Sequence, residues 1–154
     1  MAEREIKKIT SFTVDHTVLT EGLYVSRKDG SIVTYDMRTR RPNAGEYMDN
    51  STMHSFEHMF ATYVRNSDIG DRIIYFGPMG CQTGFYLLVD GLDNETVLSA
   101  IKDTLNRIIA HTGAVFGASA VECGNYRNLS LDAAQTEAKR YLDVLTAKAV
   151  TFTY

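Results

Sequence analysis

Two imidazoles and one carboxylate fall within five residues, His54-Ser55-Phe56-Glu57-His58. That run constrains the fold more than any other stretch of the chain. The residues after it, Met59 to Asn66, continue a helical pattern. Positions i, i+3 and i+4 of an α-helix share one face, so a helix here stacks His54 and His58 on consecutive turns with Glu57 beside them. Such a pair can grip one metal ion, and the carboxylate is close enough to move a proton next to it. The spacing H-x-x-E-H is also that of the inverted zinc-protease motif. The plain alternative is a polar helix face. Two imidazoles fill only half of a tetrahedral shell, so a metal site obliges the chain to supply further donors from elsewhere.

The two cysteines are the natural candidates. Cys123 precedes Gly124 in a turn whose backbone can aim a thiolate inward. A set of two histidines and one cysteine leaves one coordination position open, as a catalytic metal requires. Taken alone, a Cys before Gly also suits a small buried residue. Cys81 lies in a loop with Gly77, Gly80 and Gly84. Such a loop can bring backbone close to a ligand and leave the thiol exposed, where a nearby cation favours the thiolate as nucleophile or base. A structural cysteine is the other reading. If both cysteines bind metal, the site is a closed structural one with no open position.

At 154 residues the chain suits one compact domain spanning 1–154. A hydrophobic content of 44% with 23% charged residues is that of a water-soluble globular protein. The formal net charge is −3, and Arg38-Thr39-Arg40-Arg41 is a locally positive turn rather than a nucleic-acid surface. No apolar run approaches the roughly 18 residues of a membrane span. The charged start, Met1 to Lys8, lacks the apolar core of a signal peptide, and the expectation is a cytoplasmic protein. In that reducing setting two cysteines act as ligands or nucleophiles, or sit inert in the core, more often than they pair.

Along the chain, Ser11 to His16 alternates and reads as a short strand. Gly22–Ser26 and Ser31–Met37 read as a hairpin turned at Asp29-Gly30, because Gly accepts the positive φ of tight turns. Pro42-Asn43-Ala44-Gly45 ends that unit. Asn50 or Ser51 can cap a helix to about Asn66, with Met53, Phe56, Phe60 and Val64 as its apolar stripe. Ile73–Phe76 and Phe85–Val89 are strands flanking the Cys81 loop. Asp93 or Asn94 opens a long helix bearing Val97, Leu98, Ile101, Leu105, Ile108 and Ile109, and a last helix runs from about Leu131 to Ala147. Strands cluster early and are joined by a short hairpin, which favours an α+β fold: an antiparallel β-sheet with helices packed on one face and the metal site on a helix face. His16, in its expected strand, can present a ring to a substrate or sit at the surface. His111, ending a helix, reads as structural. Arg38 ends a strand and can grip a carboxylate or remain solvated.

Taken together, these segments resemble the S-ribosylhomocysteine lyase (LuxS) family over nearly the whole chain. Ser11-Phe12-Thr13-Val14-Asp15-His16 is similar to the family's S-F-x-V-D-H, and Tyr35-Asp36-Met37-Arg38 followed by Pro42-Asn43 resembles F-D-I-R and P-N. His54-Ser55-Phe56-Glu57-His58 is similar to H-T-L-E-H. Pro78-Met79-Gly80-Cys81-Gln82-Thr83-Gly84 matches P-M-G-C-Q-T-G in full, and Cys123-Gly124-Asn125-Tyr126 matches the C-G-x-Y turn, with Ser130-Leu131 and Ala134-Gln135 after it. The chain departs from the family's pattern at Glu21–Ser26, at Arg40-Arg41 and at Tyr75-Phe76-Gly77.

The resemblance implies a homodimer with active sites at the subunit interface. It implies one divalent metal per subunit, Fe²⁺ natively, with Zn²⁺ or Co²⁺ able to substitute. His54, His58 and Cys123 carry over as ligands, Cys81 and Glu57 as the acid/base pair, and Ser11, His16 and Arg38 as substrate-pocket residues. The implied reaction cleaves the thioether of S-ribosylhomocysteine to homocysteine and 4,5-dihydroxy-2,3-pentanedione, the autoinducer-2 precursor of quorum sensing and a by-product route of the methyl cycle. Two rivals differ in their donors. An inverted-motif zinc protease needs a downstream carboxylate ligand, Glu122 or Glu137, and leaves both cysteines idle. A structural zinc module needs both cysteines on the metal.

Overall fold

The computed structural model describes residues 2–154. Strands β1 (Gly22–Asp29) and β2 (Ile32–Arg38) form the expected antiparallel hairpin. Asp29 still pairs with Ile32, so the turn sits one residue later than the sequence suggests, with Gly30 at φ +62. Strands β3 (Ile73–Pro78) and β4 (Gly84–Asp90) complete an antiparallel sheet in the order β1-β2-β4-β3.

Tyr35 faces Leu87 and Met37 faces Phe85 across β2 and β4, and all four side chains are fully buried. Period-2 alternation sends these residues to one face and Asp36, Arg38 and Tyr86 to the other. The helices cover the first face: α1 (Asn50–Arg65) lies against β3, α3 (Leu131–Ala147) lies against β1, and each of α1, α2 (Asn94–Ala110) and α3 touches the other two. The α+β expectation therefore holds, with the helices on one side of the sheet.

On α1, Phe56, Phe60 and Val64 are buried and Met59 joins them, while Met53 is only partly covered. The Phe56 ring packs at a tilt against Phe76 and Phe85 of the sheet, and Phe60 stacks on Phe76. Each such side chain contributes about 2–3 kcal/mol by leaving water. That packing fixes the helix's rotation and so points His54, Glu57 and His58 away from the core. The helix is capped by Asp49, which accepts from Thr52 N–H at 2.7 Å, one residue before the expected Asn50 or Ser51. Asp93 and Ser130 cap α2 and α3.

One expectation fails. Ser11–His16 is not a strand: Thr10–Phe12 form a 3₁₀ turn and the residues to His16 continue as bends and turns. Thr13 Oγ1 donates to the Thr10 carbonyl, and Asp15 Oδ1 accepts from the backbone and hydroxyl of Thr17. These local bonds compete with strand pairing. The free edge of β1 is meanwhile taken by the chain's last segment, where Val25 N–H donates to the Phe152 carbonyl at 2.9 Å.

Candidate metal centre and active site

His54 and His58 project from the first turns of α1, and the turn carrying Cys123 closes over them. One potential ligand atom from each of His54, His58 and Cys123 lies within 4.8 Å of the other two. Cys123 Sγ is 3.3 Å from His54 Nε2. The ring orientations are held from behind. His54 Nδ1 donates to Asn128 Oδ1 at 2.5 Å, and His58 Nδ1 donates to the Phe116 carbonyl at 2.7 Å. With both Nδ1 protons engaged, each Nε2 carries the free lone pair that a metal needs. Cys123 Sγ accepts from the Asn125 N–H at 3.4 Å. The donor set therefore fits a divalent metal, two neutral imidazoles and one sulfur with room for a further ligand.

The backbone around the trio is shaped for it. Gly117 has φ +71, and a Cβ there would lie 3.1 Å from His58 Nδ1. Asn128 is itself fixed by donating Nδ2 to Asn50 Oδ1, while its carbonyl accepts from Ser51. Ser55, buried on the inner side of α1, accepts from the Ser130 N–H. These bonds tie the start of α3, and with it the Cys123 turn, to α1.

Cys81 and Arg38 form a second group at the end of the sheet. The Cys81 thiol is exposed, and its Sγ lies 2.9 Å from Thr83 Oγ1 and 3.9 Å from the Arg38 guanidinium. Its loop is held by Gln82, whose carbonyl accepts from Met48 N–H and whose side chain donates to the Met48 carbonyl. Gly84 permits the closure, since a Cβ there would come 2.7 Å from the Met37 carbonyl oxygen. Arg38 is not solvated, as a strand-end arginine commonly is. It is 3% exposed and fork-bonded to Asp36. Burial opposes its charge, but the Asp36 carboxylate outweighs burial and raises the guanidinium above its ordinary value. That keeps a fixed positive charge beside the thiol.

Glu57 is partly exposed and has no hydrogen-bond or ion-pair partner among the described residues, so its carboxylate is free to act. Ser11 and His16 lie in the turn-rich segment before β1, and His16 Nδ1 bonds only the Val14 carbonyl. Among the described residues no hydrogen bond joins Cys81, Arg38, Ser11 or His16 to the metal trio. His111 bonds Tyr63 and the Ala114 carbonyl, in keeping with a structural part.

The rival donor sets find no support. Glu137 is buried in a two-pronged pair with Arg40, and Glu122 accepts from Ser119. Cys81 lies outside the trio. Asn128, Phe116, Gly117, Asp36 and Thr83 escaped the sequence reading. Asp36 and Thr83 each stand two residues from a flagged partner, Asp36 on the same strand face as Arg38 and Thr83 across the turn at Gln82, and that spacing was the signal available for them. Nothing local marks Asn128, Phe116 or Gly117.

Comparison with known proteins bears on the same segments. The model of the S-Ribosylhomocysteinase (LuxS) family matches residues 9–151. A protein named S-ribosylhomocysteine lyase from Borreliella afzelii is 42% identical over 146 residues, covering 91% of this chain and 93% of the relative. Proteins of the same name from Desulfotalea psychrophila and Phocaeicola vulgatus are 44% and 41% identical, covering 88% and 89% of this chain and 89% of each relative. The match begins ahead of β1, ends beyond α3 and takes in the trio, Glu57 and the Cys81 loop, and by that extent the chain belongs to the S-ribosylhomocysteinase (LuxS) family.

Proposed function

We propose that this protein is an S-ribosylhomocysteine lyase that releases homocysteine and 4,5-dihydroxy-2,3-pentanedione. The observation that carries the reading is the His54, His58 and Cys123 trio with both Nδ1 atoms already engaged, which suits a catalytic rather than a structural metal. An unactivated thioether breaks by β-elimination only when a carbonyl lies two carbons from the carbon that bears sulfur, so the sugar carbonyl must first migrate along the ribose. The divalent ion supplies Lewis acidity beside the sugar oxygens when bound. The remaining work is proton transfer between neighbouring carbons, and Cys81 and Glu57 perform it. The Arg38 guanidinium stands 3.9 Å from Cys81 Sγ, and Glu57 has no hydrogen-bond partner among the described residues. When the ketone stands two carbons from the carbon that bears sulfur, removal of the proton on the carbon between them expels homocysteine thiolate by β-elimination.

Fe²⁺ is the proposed native ion, with Zn²⁺ or Co²⁺ able to substitute, since two imidazoles and one thiolate suit all three. Residues 1–154 act as one catalytic domain, supported by a core to which every strand and every helix contributes. The working form is a homodimer with the active sites at its interface. Ile6, Ile9 and Phe12 ahead of β1 are exposed, and among the described residues no hydrogen bond joins the Cys81 group to the trio. Ser11, His16 and Arg38 line the substrate pocket in that arrangement. A cytoplasmic location suits two free cysteines, which reducing conditions preserve. No described helix is long and apolar enough to cross a membrane.

The test is turnover of S-ribosylhomocysteine, followed as free thiol released from anaerobically prepared, metal-analysed protein. Metal-dependent thiol release is expected. Its absence in fully metal-loaded dimer would reject the reading.

A further inference from the structure

Beyond β2, the Cys81 group continues into a part of the chain that the family match does not reach. Tyr154 lies past residue 151, where that match ends. Its hydroxyl donates to Asp36 Oδ2 at 2.8 Å. The same oxygen accepts from Arg38 at 2.7 Å, and Asp36 Oδ1 accepts from Arg38 Nε at 3.1 Å. The other arm of the guanidinium donates to Thr83 Oγ1 at 2.8 Å and reaches Cys81 Sγ at 3.9 Å. Because Thr83 Oγ1 accepts from Arg38, its own proton is free to point at Cys81 Sγ, 2.9 Å away. Tyr154, Asp36, Arg38, Thr83 and Cys81 thus form one unbroken chain of polar contacts.

We infer that Tyr154 is a positioning residue for the proton-transferring thiol, acting through Asp36 and Arg38 without touching the substrate. The segment that carries it is anchored for the purpose. Phe152 is buried and its carbonyl accepts from Val25, and the Tyr154 ring stacks on Tyr24 with centroids 5.0 Å apart. Burial first, and the Asp36 carboxylate second, raise the Tyr154 phenol well above its ordinary value, so it remains a donor throughout the working pH range. Tyr86 from β4 and Tyr141 from α3 are the other titratable groups facing Asp36 and Arg38. Burial and Asp36 raise both, leaving them neutral.

The physical effect has a definite sign. Asp36 is a negative charge close to a site that must hold a thiolate. A hydroxyl donating to it draws its charge toward Tyr154, weakens its claim on Arg38 and leaves more of the guanidinium's field for Cys81. Without the hydroxyl, Asp36 draws Arg38 more strongly and the thiolate loses support.

The inference rests on the reading of Cys81 as the proton-transferring group, which Cys81→Ala turnover tests separately. The decisive variant here is Tyr154→Phe, which keeps the ring on Tyr24 and removes only the oxygen. In metal-loaded protein, the alkylation rate of Cys81, followed by mass spectrometry of its peptide at fixed neutral pH, is expected to fall roughly fivefold, the scale of one typical hydrogen bond. The kcat should fall in parallel, with KM, melting temperature and metal content unchanged. In an Asp36→Asn background the hydroxyl has no carboxylate to hold, so Tyr154→Phe should change the alkylation rate no further. Unaltered Cys81 alkylation in Tyr154→Phe overturns the inference, whatever happens to turnover. An equal fall in both backgrounds also overturns it, because the hydroxyl would then act by another route.

Discussion

Asn128 Oδ1 stands 2.5 Å from Nδ1 of His54, on the side of the ring turned away from Cys123. This contact selects the tautomer that leaves Nε2 for the metal, and it connects the Cys123 turn to the helix that carries His54. Asn128→Ala is expected to weaken metal affinity by about 10- to 100-fold, the usual cost of losing the partner of a ligating imidazole. Competition with a chromophoric chelator measures it. Affinity equal to the parent protein would mean that the helix alone orients the ring.

Gly117 makes a parallel prediction for His58. Its φ of +71 strains any side chain, and a notional Cβ would crowd His58 Nδ1 at 3.1 Å. Gly117→Ala incurs roughly 1–2 kcal/mol from the left-handed backbone and displaces the Phe116 carbonyl from the ring. Both the melting temperature and the metal affinity should drop. A drop in stability with metal affinity intact would separate the backbone strain from the ring's positioning.

Cys81→Ala should retain the full metal complement and lose turnover by roughly 10²-fold or more, the scale of a missing acid/base group. Cys123→Ala should instead lose both metal and turnover, because Cys123 belongs to the trio and Cys81 does not. Elemental analysis beside thiol release distinguishes the two. Full metal occupancy in Cys123→Ala would reject the ligand set.

The elements and the candidate ligand pair of α1 were legible in the sequence because both obey short-range rules. His54 and His58 declare themselves by helical spacing, and Phe56, Phe60 and Val64 declare the opposite face. Cys123 was accessible only through chemistry and resemblance, since no local pattern says which distant turn closes on α1. Ser11–His16 misled because alternation is necessary for a strand but not sufficient. The β1 edge it might have joined is occupied by Phe152. For Arg38 the sequence left two readings open, a grip on a carboxylate or a solvated end, because its burial depends on Asp36, Thr83 and Tyr154 converging from three parts of the chain.

Asp49 supplies a pH-dependent prediction. Hydrogen bonds from the backbone and then the side chain of Thr52 hold its carboxyl below the ordinary 3.8. A carboxyl whose folded value is depressed contributes its full stability above its ordinary value and loses it as pH falls through the folded value. Asp49→Ala should cost about 1 kcal/mol near neutral pH through the lost cap. Asp49→Asn keeps an acceptor but cannot titrate. Its small deficit in melting temperature near neutral pH should therefore vanish in acid. A deficit that stays constant with pH would show that the charge contributes nothing.

Glu57 is the residue whose part in the chemistry the geometry leaves most open to experiment. It shares the exposed face of α1 with His54 and His58, and the core contacts of Phe56 and Phe60 prevent that face from turning inward. One residue from His58, its carboxylate cannot easily reach the same coordination position, and no partner among the described residues holds it elsewhere. Glu57→Gln preserves shape and most hydrogen bonding while removing the base. Metal content, assembly and substrate binding should be unchanged, and thiol release should fall by roughly 10²-fold or more. Carbonyl migration steps served by Cys81 should continue, so a ketone form of the substrate should accumulate, visible by carbon-13 NMR of labelled sugar. Near-normal thiol release would reduce Glu57 to a supporting group. Loss of metal would make it a ligand, and the trio would then have to be redrawn with four protein donors.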